Sequence, residues 1–180
     1  MAVTKSEIVA SFRRHIEDVG LRTTSVEDIA RELHISKKTV YVHFKSKDDI
    51  FRHVLQEMAV EEKTRITGAL DGLGTCAEKI EGLIGIIFRT TRDWWREHKT
   101  SEFAERFEIG ERVFLSAYTE LISEWVESGV KSGEFHVSGS TAMTVTFIGG
   151  IILAGTRLLQ HDTEVEPEIE VVAVVRKLLA

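Results

Sequence analysis

One cysteine and one proline are all that the 180 residues contain of either type. Cys76, standing alone, can form no intrachain disulfide, and without a second thiol the zinc patterns built on paired cysteines are excluded as well. A reducing cytoplasm suits this composition. Met1-Ala2-Val3-Thr4-Lys5 has no charged segment leading into an apolar run with a small-residue cleavage site, so export is not expected. A glycine-rich phosphate loop, a His-Glu-x-x-His run and a nucleophile elbow are all missing, which leaves no catalytic motif, no cofactor and no metal site to read. His53 and Glu57 have the spacing to pair or to hold a metal on one helix face, but a surface hydrogen bond accounts for them more simply.

Long apolar runs are scarce too. The longest uncharged stretch, Val137 to Thr156, approaches the length that crosses a bilayer. Gly139, Ser140, Thr141, Thr144, Thr146, Gly149, Gly150 and Gly155 dilute it, so a helix buried on several sides explains it as well and no membrane partner is expected. Net charge is −6, with 43% hydrophobic and 29% charged residues, an ordinary balance for a folded soluble chain. That charge is unevenly spread. Met1 to His53 carries ten basic against eight acidic side chains, and the rest of the chain is strongly acidic. Only the N-terminal part is suited to face phosphate.

Apolar residues recur at three- and four-residue spacing almost throughout, which predicts an all-α chain of about nine helices. The first spans Ser6 to Val19, with Ile8, Phe12, Ile16 and Val19 inward and Gly20 as its stop. Thr24 lies three residues before Glu27 at capping-box spacing, with Ser25 as the alternative cap, and Val26, Ile29, Ala30 and Leu33 form the apolar face of a short second helix. After a turn at His34-Ile35, Ser36 caps a third helix reaching His43, and Ser46 caps a long fourth from Lys47 to Gly68, with Ile50, Phe51, Val54, Leu55 and Met58 inward. Further helices are expected near Thr75–His98, Ser101–Phe107, Gly110–Lys131, Ser140–Gln160 and Pro167–Leu179. The last, rich in valine, keeps helical spacing through Val171, Val174, Val175 and Leu178. Residues 1–50 then form a head of three helices, and 51–180 a longer helical body.

Two short helices across a tight turn, the second polar and basic outward, form the arrangement that lays a recognition helix in the major groove. Lys37 and Lys38, at the start of that helix, can donate to guanine or phosphate; Thr39 can do either, and Val42 can touch a thymine methyl. Tyr41, His43 and Lys47 are placed for phosphates, as are Thr24 or Ser25 at the opening of the second helix and Ser36 at the opening of the third. Thr24-Ser25-Val26-Glu27-Asp28-Ile29-Ala30, followed by Ile35-Ser36-Lys37-Lys38-Thr39-Val40-Tyr41-Val42-His43-Phe44-Lys45-Ser46-Lys47-Asp48, resembles the tetracycline-repressor-like (TetR) family over about residues 6 to 56. The resemblance implies an all-helical Ω-shaped homodimer with a variable ligand-binding body, and usually repression relieved by a small molecule. One departure stands out: His34 occupies the turn where glycine is usual, so a left-handed conformation is expected there at a cost of about 1 kcal/mol relative to glycine.

The body shows no motif. Gly149, Gly150, Ala154 and Gly155, among Phe147, Ile148, Ile151, Ile152 and Leu153, would let another helix approach closely, and with Val171, Val174, Val175 and Leu178 they suggest a four-helix subunit interface; intrachain core is the alternative. Phe88, Trp95, Phe107, Phe114, Tyr118 and Phe147 are candidates to line an apolar or aromatic ligand pocket, or else ordinary core. Arg89, Arg92, His98 and Arg106 are candidate anchors for an anionic group. The chain therefore reads as a dimeric repressor released from a palindromic operator by a small, largely apolar effector. A nonspecific architectural DNA-binding protein, or an enzyme with an unrecognised site in the body, are the alternatives.

Overall fold

A computed structural model describes residues 3–98 and 103–180, with the side chains of 98 and 103–106 left aside. Eight helices and no strand occur among the described residues: α1 (Lys5–Val19), α2 (Val26–Glu32), α3 (Lys37–His43), α4 (Lys47–Leu70), α5 (Cys76–His98), α6 (Phe103–Ser132), α7 (Thr141–His161) and α8 (Glu168–Leu179). Nine helices become eight because the segment from 103 continues through Gly110 to Ser132; Ser101, where the sixth helix was expected to begin, lies outside the described residues. A lone glycine costs an exposed helix only about 1 kcal/mol, and packing on either side of Gly110 outweighs it.

The chain divides into two compact units, residues 1–60 with 101–114 and residues 61–100 with 115–180. In the first unit, α1 opens with a complete capping box: the Thr4 side chain accepts from the Glu7 backbone, while the Glu7 carboxylate accepts from the Thr4 N–H at 2.7 Å. It ends at Gly20, whose φ of 82° is the left-handed stop. Ile8, Val9, Phe12, Leu21, Ile29, Val40, Phe44, Ile50 and Val54 close the core, with Ile109, Val113 and Phe114 of α6 packed against it. Val19 and Met58 stand outside it, and Val9 and Ala59 take the inward places. The apolar arc is rotated by one position from the simplest reading of the spacing.

In the second unit, α5, α7 and α8 pack on one another. They crowd together at Gly155, where a Cβ would fall 2.6 Å from the Phe88 ring and 3.0 Å from the Val171 side chain. Only glycine fits. α7 is long and apolar enough to cross a bilayer by length and composition, but eight of its residues, from Thr144 to Leu159, are buried among its neighbours. Arg92 of α5 fastens the segment between α7 and α8, donating to the carbonyls of Thr163 and Val165 and to the Glu168 carboxylate. Arg176 of α8 forms a two-pronged pair with Glu81 of α5 at 2.6 and 2.7 Å.

Candidate nucleic-acid interface

The candidate surface is built on the joint between α2 and α3. Ser25 caps α2, its hydroxyl accepting from the Asp28 N–H at 3.1 Å. Thr24, the other candidate cap, is only 1% exposed and turns its hydroxyl onto the Gly20 carbonyl at 2.8 Å. It thus braces the preceding loop rather than opening the helix. At its far end α2 closes in a Schellman motif: the His34 N–H donates to Arg31 O and the Ile35 N–H to Ala30 O. That closure requires a left-handed residue, and His34 supplies it with φ 54°, the only positive φ outside glycine among the described residues. Ser36 then caps α3 by accepting from the Thr39 N–H at 3.1 Å, and its hydroxyl pairs with that of Thr39 at 2.9 Å.

Helical phase divides α3 cleanly. Val40, and Phe44 just beyond the helix, point into the core; Lys37, Lys38, Tyr41 and Val42 point out, the last two 47% and 74% exposed. Thr39 and His43 lie half-buried at the edges. An apolar Val42 so open to water gains nothing from folding. Lys37 is ion-paired with Glu27 of α2. That bond lowers the Glu27 carboxyl from its ordinary range and raises the Lys37 ammonium. Lys47, half-buried, donates to the carbonyls of Leu21 and Arg22, joining the start of α4 to the loop before α2.

Behind this surface lies a polar junction that the sequence pattern did not disclose. Glu32, on the exposed face of α2, receives Arg14 Nη2 at 2.5 Å and the buried Ser11 hydroxyl at 2.8 Å, and it meets His15 Nε2 at 2.7 Å. Its carboxyl is lowered to about 2, chiefly by the Arg14 bond. The one available signal was Ser11 standing in the inward phase of α1. His53 bonds to the Asp49 carbonyl and lies edge-on to Phe44, a structural use of the side chain that had metal-ligand spacing.

The body candidates scatter. Phe88, Trp95 and Tyr118 are buried in the second unit, and burial pushes the Tyr118 hydroxyl well above its ordinary pKa. Phe107 and Phe114 belong to the first unit, where Phe114 packs on the core. Phe147 is 54% exposed on α7. Gly149, Ile152, Val171 and Val175 are buried within the chain, Leu153 and Leu178 are half-buried, and Val174 is exposed. Of the candidate anion anchors, Arg92 is engaged as described, Arg89 is exposed, and the side chains of His98 and Arg106 lie outside the described set.

An all-helical chain opening with a capped helix-turn-helix is the architecture of a DNA-binding regulator. Residues 8–54 match the sequence model of the bacterial regulatory proteins of the tetR family. No curated protein matches the chain in sequence. Its fold is similar to that of the transcriptional regulator FadR from Bacillus subtilis in complex with stearoyl-CoA, at 18% identity over 98% of each chain with a TM-score of 0.60. It is similar also to RolR in complex with resorcinol, at 15% identity over 97% of this chain and 86% of that one with a TM-score of 0.68. The reduced form of NemR from E. coli matches at 17% identity over 99% of this chain and 98% of that one, with a TM-score of 0.58. At these identities the likeness is one of fold.

Proposed function

We propose that the chain is a sequence-specific transcriptional regulator that binds a palindromic operator as a homodimer and is released by a small, largely apolar ligand. The observation that carries this reading is the outward face of α3, with Lys38, Tyr41 and Val42 exposed on a helix whose cap and preceding turn are fully bonded. Lysine at the start of such a helix reaches guanine edges or phosphate, and an open valine meets a thymine methyl. Ser25, Ser36, Thr39, Tyr41, His43 and Lys47 border the same face and contribute backbone contacts, Lys47 while also bracing the loop at Leu21 and Arg22. Buried Thr24 is set aside from that surface.

A second copy of the chain is supported by α7. Met143, Phe147 and Leu158 are each more than half exposed, and Gly150 between them opens onto empty space. These positions share one helical stripe, and Val174 of α8 adds to the exposed apolar surface. Two-fold pairing there would present two recognition helices, which successive major-groove turns require about 34 to 36 Å apart. The ligand class rests on the apolar and aromatic character of the second unit's interior, where Phe88, Trp95 and Tyr118 lie, and on the acyl and aromatic compounds held by FadR and RolR. The cytoplasm is the compartment such a role requires.

Selection of duplexes from a random pool tests the reading directly: a palindromic consensus is expected, and Lys38→Ala should weaken binding to every duplex and lower the salt slope by about one unit. Equal retention of selected and random duplexes at fixed salt would favour an architectural DNA-binding role instead. Phe147→Glu should shift sedimentation from dimer to monomer and weaken operator binding with it.

A further inference from the structure

We infer that Glu27 is a positioning residue for base recognition, holding Lys37 in one orientation so that it reads a base edge rather than serving as a mobile phosphate-seeking charge. The inference rests on the DNA-binding reading above and deepens it.

An exposed carboxylate beside a surface that meets phosphate is unfavourable, because it repels the backbone and offsets a counterion-releasing lysine. The start of a helix does favour acids, but α2 already has that need met by Asp28, which accepts from the Ser25 hydroxyl and from Arg31. Glu27 instead reaches across the turn to Lys37, the first residue of α3. The two ends of this bond sit on helices held in fixed register by the Schellman closure at His34 and the Ser36 cap. A lysine side chain is a flexible stem carrying a point charge; anchored from a second helix, it becomes a directed donor. Lys38, one residue later and exposed, has no ion-pair partner among the described residues. The neighbouring lysines therefore divide the work: Lys38 neutralises phosphate, Lys37 discriminates.

The test uses the full-length protein, a palindromic duplex selected by the wild type and a scrambled duplex of the same length, titrated over a range of salt. Glu27→Gln keeps the size of the side chain and lies at an exposed site, so unchanged thermal melting serves as the folding control. The variant is expected to bind the scrambled duplex roughly threefold tighter or more at low salt, with a salt slope steeper by about one unit. Discrimination between selected and scrambled duplexes should fall about fivefold or more, and the loss should map to the same base pair that Lys37→Ala relaxes. Retention of the wild-type salt slope and base preference by Glu27→Gln, with Lys37→Ala still relaxing one position, overturns the positioning role and leaves the DNA-binding reading standing. Failure of the wild type to retain either duplex at low salt brings down both.

Discussion

The two units are held by different means. In the first, α2 and α3 are seven residues each, too short to persist alone in water, and their ends are secured by the Ser25 and Ser36 caps, the His34 closure and the Glu32 junction. In the second, α5, α7 and α8, of 12 to 23 residues, meet through apolar faces, with ion pairs such as Arg176–Glu81 at the margin. The contrast separates directional bonding, which fixes orientation, from close packing, which supplies bulk stability. A surface that must align side chains with base edges requires the former.

The largest effect that would sharpen this contrast lies in the packed unit. Phe88→Ala removes a fully buried ring against α7 and should cost about 3–5 kcal/mol in denaturant unfolding. A loss under about 1 kcal/mol would mean that the body does not depend on that packing. Gly155→Val, which drives methyl groups toward Phe88 and Val171, should cost about 1–3 kcal/mol by overpacking and lower the melting temperature.

In the first unit the signature is pH. Glu32 lies near 2 in the folded chain against an ordinary 4.5, so the unfolded chain binds more protons between these values. Its stabilising contribution is fully present above about pH 4.5 and is lost as pH falls toward 2. Because the carboxylate is partly exposed, solvent screening reduces the effect to on the order of 1 kcal/mol. Glu32→Gln should flatten that part of the acid denaturation curve; an unchanged curve would remove the junction from the account. Smallest is His34→Gly, which relieves the left-handed strain and should raise stability by no more than about 1 kcal/mol. A clear loss would contradict the turn geometry.

The first unit was legible in the sequence because its determinants are local. Caps act over three residues, the Schellman turn over six, and the alternation of Val40 and Phe44 with Lys37, Lys38, Tyr41 and Val42 is a matter of helical phase. What escaped notice was non-local. Ser11 meeting Glu32 joins residues 21 apart, and residues 109–114 joining the N-terminal core follows from packing that no short-range pattern encodes. The two-way choice between Thr24 and Ser25 as cap was decided by burial, which spacing does not report. In the body, helical periodicity identified α7 and α8, but the small residues of α7 serve two ends: Gly155 admits Phe88 from within the chain, while Gly150 faces open space. Composition alone could not tell these apart.

The contact at Gly155 also limits how the second unit can move. Sliding α7 by one turn, about 5.4 Å, would bring Ile151 or Leu159 to a place where a Cβ already falls 2.6 Å from the Phe88 ring, so that register against α5 and α8 is sterically closed.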